Sequence, residues 1–314
     1  MSQAQPRGPH SRIPMHTARE RLLAAILDRL WETYRQRVPY VQVYEQVIAH
    51  AGAAFVNDHI AFRTIAGQAP VTGIVSVSRM FEALGYQAAG TYQFPDKRLT
   101  AIHFQHANPW FPKLFISELQ SWTLGPAVRS ILDAALAEHV PMISGDDLHA
   151  LHVAHEEDHA RLIERGVAYL QTRPWPAPRR GDLDAVNRES QYGAWTLVHG
   201  YNVNHFTALI NSHGTPALAD IEQTVAALRA AGVPMKAEIE GAAGSRLRQT
   251  ATEAAMTEVE VREDDGATTI PWSYAYFELA ERGVVTDPET GQPCRFEGFL
   301  GPQATHLFDM TRVR

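Results

Sequence analysis

The stretch "HIAFRTI" (residues 59–65) alternates along its length. His59, Ala61, Arg63 and Ile65 share one side of an extended chain, while Ile60, Phe62 and Thr64 share the other. The second side is largely apolar and suits a core. The first carries an imidazole and a guanidinium, an odd pair to bury without a task. "VNHFTALI" (203–210) has the same character, with Val203, His205, Thr207 and Leu209 on one side. The elements downstream of the two stretches come in the same order. After the first come a helical run, "VSRMFEALGY", closed near Gly85, and the strand-like runs "TYQFP", "LTAIHFQH" and "KLFISELQ". After the second come "LADIEQTVAALRAAGV", closed at Gly232, and then "AEIEGA", "TEVEVRE" and "SYAYFELAE". Gly85 follows His59 at almost the spacing with which Gly232 follows His205, and a strand bearing a glutamate closes each unit, Glu118 in one and Glu278 in the other. Order and spacing, rather than residue identity, predict a duplicated β-α-β-β-β unit in an α+β fold.

Around the two units the pattern is helical. Residues 17–51 show apolar residues at three- and four-residue steps, and a second helical region from about 125 to 190 ends in the proline-rich connector "RPWPAPRRGD". The expected organisation is a flexible arm over 1–16 and a single catalytic domain over 17–314. Within that domain, module one spans about 52–124, a helical spacer 125–192, module two 193–290 and a C-terminal segment 291–314. The chain of 314 residues has 20% charged residues and a formal net charge of −7, which argues against a broad electrostatic footprint for DNA or RNA. No apolar run approaches the roughly 20 residues of a membrane span, and the start lacks the apolar core of a signal peptide. The single cysteine, Cys294, excludes an intrachain disulfide and makes the reducing cytoplasm the expected compartment.

Fifteen histidines make metal the first chemistry to test. "HVAHEEDHAR" (152–161) contains a literal HExxH, and on a helix His155 and His159 would lie one turn apart with Glu156 beside them, continued by His149 and His152. Against a zinc protease site stand the intervening Glu157 and Asp158, which suit solvent, and the lack of a third ligand downstream. The other candidate is spread over three strands. If the two units pack as equivalent halves, their first strands bring His59 and His205 together. Glu278, on a side shared with Tyr274, Tyr276 and Ala280, then completes two imidazoles and one carboxylate. That is the donor set of non-haem Fe(II) oxygenases, with three coordination positions open. Arg63 lies roughly 13 Å along the strand from His59 and matches an anionic group at the far end of a bound molecule. Glu118 is read as the repeat counterpart of Glu278, and His199 as a residue supporting the ligands. Each of these residues also has a bland reading: a hydrogen-bonded core histidine, or a structural ion pair of Glu278 with Arg282 or Arg63.

"NDHIAFRTI", "HGYNVNHFT" and "SYAYFELAERG" resemble signature segments of the 2-oxoadipate dioxygenase/decarboxylase family, also called D-2-hydroxyglutarate synthases. This family is related to the glyoxalase, or vicinal-oxygen-chelate, superfamily. The resemblance covers most of residues 40 to 310 and implies paired β-α-β-β-β modules forming a curved mixed sheet around a metal. It implies Fe(II) held by His59, His205 and Glu278, with Arg63 gripping a substrate carboxylate. It further implies conversion of a 2-oxo dicarboxylic acid and O2 to a 2-hydroxy acid and CO2. Apart from the resemblance, the expectation is a monomer or homodimer without nucleic-acid or membrane partners. One departure is that characterised members are considerably longer at the C-terminus. The alternatives are a glyoxalase-like isomerase or hydrolase that uses Zn(II), Ni(II) or Mn(II) without O2, and a non-catalytic binding module of the same fold.

Overall fold

The computed structural model describes residues 8–300 and residue 311. Two N-terminal helices come first, α1 (Ala18–Arg37) and α2 (Pro39–His50). A capping box starts α1, in which Thr17 Oγ1 accepts from Glu20 N and Glu20 Oε2 accepts from Thr17 N. The first half then runs through β1 (Asn57–Ile65), a short ribbon of β2 (Gly67–Gln68) and β3 (Val71–Thr72), α3 (Ile74–Ala83), β4 (Tyr86–Phe94), β5 (Leu99–His106) and β6 (Lys113–Leu119). Five helices form the spacer: α4 (Pro126–Ala137), α5 (Gly145–Val153), α6 (His159–Tyr169), α7 (Arg180–Glu189) and α8 (Gln191–His199). The second half comprises β7 (Val203–Leu209), α9 (Ile221–Ala230), β8 (Leu247–Ala251), a hairpin of β9 (Met256–Glu263) and β10 (Gly266–Ser273), and β11 (Glu278–Arg282). A last ribbon pairs β12 (Val284–Thr286) with β13 (Pro293–Arg295).

Seven strands form one mixed sheet in the order β4-β5-β6-β1-β7-β11-β8. In each half the first and last strands are parallel, β1 with β6 and β7 with β11, and the halves meet where β1 and β7 run antiparallel. His59 lies opposite Thr207 and Ala61 opposite His205. A pseudo-twofold axis between them therefore exchanges His59 with His205 and Ala61 with Thr207. The expected duplicated architecture is the one observed. All nine residues of β1 and all seven of β7 are buried, because both sheet faces are covered. On one face Phe206 packs against Trp31 and Tyr34 of α1, with ring centroids 5.1 and 4.9 Å apart. The opposite face holds the histidines.

Register, rather than chain spacing, decides which residues of the two halves correspond. Phe115 sits opposite Ala61, and Glu278 opposite Thr207, so the counterpart of Glu278 is Phe115 and not Glu118. Glu118 corresponds to Glu281. The match is chemical as well as positional: Ile74 N at the start of α3 donates to Glu118 Oε2 (2.9 Å), and Ile221 N at the start of α9 donates to Glu281 Oε2 (2.8 Å). Each glutamate thus satisfies an otherwise orphaned helix N–H and lies favourably against the helix dipole. Gly73 lets the chain enter α3 over this carboxylate; its φ is 89°, and a Cβ there would lie 2.4 Å from Glu118 Oε2.

Several expectations for the second half need correcting. "AEIEGA" forms no regular strand; isolated bridges from residue 240 to Gln249 of β8 and from residue 235 to Thr252, just past β8, make an irregular stand-in for the edge strand β4. "TEVEVRE" becomes β9 but leaves the main sheet to pair with β10. Of "SYAYFELAE", only the part from Glu278 onward is main-sheet strand. The expected flexible arm also differs in its described part. His10 is buried, and its Nδ1 and backbone N both bond to Asp28 Oδ1 at 2.8 Å. Residues 1–7, like residues 301–310 and 312–314 of the C-terminal segment, lie outside the described residues.

Candidate metal centre

The antiparallel ladder between β1 and β7 is interrupted twice, between Asn57 and His59 and between Ala61 and Phe62. The extra residues at these two bulges are Asp58 and Asn204, which are exchanged by the pseudo-twofold axis. A bulge turns a side chain away from strict alternation. Here it lets each bulged residue reach the histidine next to it in the chain. Asp58 Oδ1 accepts from His59 Nδ1 at 2.7 Å, and Asn204 Oδ1 accepts from His205 Nδ1 at 3.0 Å. With Nδ1 donating, Nε2 of each ring is turned towards Glu278. His59 Nε2 lies 3.2 Å from Glu278 Oε1, and His205 Nε2 lies 3.4 Å from Oε2. The parallel register of β7 and β11 places Glu278 beside Thr207, whose hydroxyl is hydrogen-bonded to His59 Nε2 at 3.1 Å. Gln249 Nε2 from β8 donates to Glu278 Oε1 at 2.6 Å, whereas Oε2 has no hydrogen-bond partner among the described residues.

The electrostatics separate the two rings. Burial opposes the charged form of His59, but Glu278 and the hydrogen bond to Asp58 outweigh it and raise its pKa. Burial pushes His205 down to about 3; Glu278 opposes this, while His59 and Arg63 add to it. Burial raises the Glu278 carboxyl, but His205 and His59 outweigh it and leave its pKa lowered. At neutral pH, therefore, the lone pair of a neutral His205 faces the unpartnered carboxylate oxygen of a side chain that is 0% exposed. Two such electron pairs repel unless a cation lies between them. One donor atom from each of the three residues lies within 4.8 Å of the others. Ligand atoms about 2.1 Å from a divalent ion and at right angles lie about 3 Å apart, close to both carboxylate contacts. His59, His205 and Glu278 fit a metal.

The remaining residues named from sequence fall in different places. Arg63 is buried and lines the same cavity as the three donors. Its guanidinium stands over the rings of Tyr192 and Trp195, at 5.0 and 5.2 Å, and Nη1 donates to Thr311 Oγ1 at 2.7 Å. His199 bonds Ser273 O at 2.9 Å and none of the three donors, so its place is in the packing of α8. The HExxH stretch is not one helix. Helix α5 ends at Val153, Ala154 is left-handed at φ 55°, and α6 begins only at His159. His149, His152 and His155 are exposed, Glu156 pairs with Arg21, and His159 bonds Ala154 O, so no ligand face forms.

Sequence reasoning missed four contributors: Asp58, Asn204, Gln249 and Arg282. A signal for the first two is present, since an acid or its amide precedes each histidine in "NDH" and "VNH". Arg282 enters the sequence reading only as a partner of Glu278. Its guanidinium instead grips Asp58, with Nε on Oδ2 at 2.6 Å and Nη2 on Oδ1 at 2.8 Å.

Fold and site together define a paired-module α+β enzyme with a candidate centre of two histidines and a carboxylate. The chain belongs to the 2-oxoadipate dioxygenase/decarboxylase family, whose model matches residues 26–294. It is 28% identical to the chloroplastic 2-oxoadipate dioxygenase/decarboxylase of Arabidopsis thaliana over 97% of this chain and 80% of that protein. Against the chloroplastic/amyloplastic enzyme of Oryza sativa subsp. japonica the identity is 27%, over 91% of this chain and 78% of that one. The fold matches the crystal structure of the Oryza sativa hydroxyglutarate synthase in complex with 2-oxoadipate, with a TM-score of 0.75 and 23% identity over 99% of this chain and 98% of that one. No helix among the described residues is long and apolar enough to cross a membrane.

Proposed function

We propose that this chain is an Fe(II)-dependent dioxygenase/decarboxylase of 2-oxo dicarboxylic acids. For 2-oxoadipate the reaction balances as substrate plus O2 giving 2-hydroxyglutarate plus CO2, with both oxygen atoms retained in products. The observation that carries the reading is the convergence of His59 Nε2, His205 Nε2 and the unpartnered Glu278 Oε2 in a buried cavity that Arg63 also lines. Membership of the family supports the substrate class.

In this reading His59, His205 and Glu278 hold the iron, which when bound supplies the redox chemistry that couples O2 to decarboxylation. The protein's own part is positioning. Arg63 takes the distal carboxylate of the substrate, a task for which a planar guanidinium fork is suited, and thereby aims the keto end towards the three donors. Tyr276 stacks on the His205 ring, with centroids 4.7 Å apart and planes at 27°. Gln249 holds Glu278 Oε1, which fixes the direction of Oε2. Phe115 and Phe299, 5.0 Å apart, give the cavity an apolar wall that excludes water from the reacting end. A reducing compartment, which the lone free thiol of Cys294 suits, keeps iron in the ferrous state.

Anaerobic reconstitution with Fe(II), followed by O2 uptake across a panel of 2-oxo acids, tests the proposal. Uptake with matching CO2 release is expected with dicarboxylic members. Iron-loaded protein that consumes no O2 with any of them would overturn it in favour of metal chemistry without O2. Arg63→Met should raise KM for dicarboxylic acids at least tenfold more than for monocarboxylic ones; equal losses would remove Arg63 from its assigned role.

A further inference from the structure

Both histidines are oriented through Nδ1 by a bulged neighbour, yet the two supports are built differently. Asn204 is neutral, and among the described residues its Nδ2 has no partner. Asp58 is an anion, 4% exposed, gripped by the fork of Arg282, itself 2% exposed. The same guanidinium reaches beyond the sheet. Its Nη1 donates to Phe296 O at 3.0 Å and to Gly298 O at 2.8 Å, in the segment just after β13. That segment brings Phe299 over the site, with its ring 4.9 Å from the His59 ring and 5.3 Å from the Arg282 guanidinium carbon. Tyr92 Oη accepts from Phe299 N at 3.2 Å and helps hold it there.

We infer that Asp58 and Arg282 form a positioning couple that links ligand orientation in the first half to closure of the cavity by residues 296–299. The linkage is a single rigid fork: one edge fixes the carboxylate that sets the tautomer and direction of His59, and the remaining nitrogen fixes the covering segment. A lysine cannot reproduce it, because an ammonium has no planar pair of edges to divide between a carboxylate and two carbonyls. The second half has no such connection among the described residues, so His205 owes its place to Asn204 and to the Tyr276 stack. The inference rests on the metal-centre reading of the site.

The test uses full-length, metal-free protein, with Mn(II) as the probe and no turnover. In Arg282→Lys, two changes are expected together: an Mn(II) Kd raised about ten- to a hundredfold, and faster amide hydrogen exchange across residues 284–300. Asp58→Asn, which keeps an acceptor for His59 but lowers the charge gripped by Arg282, should move both readouts in the same direction by a smaller factor. It serves as the second variant if Arg282→Lys does not fold, as judged by circular dichroism. In assays of iron-loaded protein, KM should rise more than kcat falls, because the cover is loosened. Exchange that speeds up without a change in Mn(II) affinity, or affinity lost with exchange unchanged, would overturn the linkage. Wild-type protein that fails to bind Mn(II) or Fe(II) at all would instead overturn the metal-centre reading.

Discussion

His205 and His155 test where the chemistry lies. His205→Ala should abolish Mn(II) binding in a titration of metal-free protein, whereas His155→Ala should leave affinity within a factor of two, on the order of error for an uninvolved surface site. His59 adds a pH signature. Metal and proton compete for Nε2, and in the metal-free protein this pKa is raised above 6.5, so His59 still carries a proton at mildly acidic pH. His205, pushed down to about 3, has no proton to displace there. Metal affinity should therefore climb about tenfold per pH unit through roughly pH 5.5 to 6.5, levelling off only above the raised pKa. A flat response in that window would mean that His59 is not a ligand. At this scale the grouping of the three candidate donors is legible because alternation assigns faces from sequence alone. Asp58 and Asn204 are marked only by preceding each histidine, because alternation puts each on the wrong face and a one-residue bulge, invisible in the pattern, turns it back. Arg282 is out of reach for another reason: its carboxylate partner lies 224 residues away in the chain.

Elements show where spacing succeeds and where it misleads. The strands carrying the histidines and both crossover helices are readable from periodicity. Order along the chain pairs Glu118 with Glu278 as the glutamate of each closing strand, whereas register shifts the match by three residues, to Phe115 for Glu278 and Glu281 for Glu118. If Glu118 is a helix cap, Glu118→Ala should cost about 1 kcal/mol in urea unfolding and leave Mn(II) affinity unchanged. Lost affinity would return it to the metal. The HExxH stretch misleads for a local reason, since Ala154 in the left-handed conformation ends α5 just before His155 and the next helix starts only at His159. His199 at the end of α8 carries its own test. Burial, opposed by the Ser273 carbonyl and reinforced by Arg37, Arg63 and Arg173, pushes it down to about 3. An unfolded chain binds a proton there below about pH 6.5. The folded one does not until far lower, so stability falls as pH drops through that window, by up to about 1.4 kcal/mol per pH unit from this residue. His199→Gln, which keeps a donor for Ser273, should lose stability less steeply between about pH 6.5 and 5 than the parent.

At the scale of the whole molecule the candidate centre lies on the seam between halves. His59 comes from the first unit, His205 and Glu278 from the second, and the only ladder joining the units within the main sheet is β1 with β7 among the described residues. Other contacts tie the outer helices to the same few residues. Tyr34 Oη of α1 donates to Tyr276 O, and Trp195 Nε1 of α8 donates to Tyr274 O at 2.5 Å, so both helices hold the backbone just before Glu278. A metal bound to all three donors would therefore be linked to the folding of both units at once. At a free Mn(II) concentration about a hundredfold above Kd, the stabilisation is about 2.7 kcal/mol. It should appear as one transition displaced upward, coincident by circular dichroism and tryptophan fluorescence, and be absent in His205→Ala. Two separable transitions of which Mn(II) moves only one would show instead that the metal is held within a single unit. In that case the pairing of His59 with His205 across the seam would be a feature of packing and not of the centre.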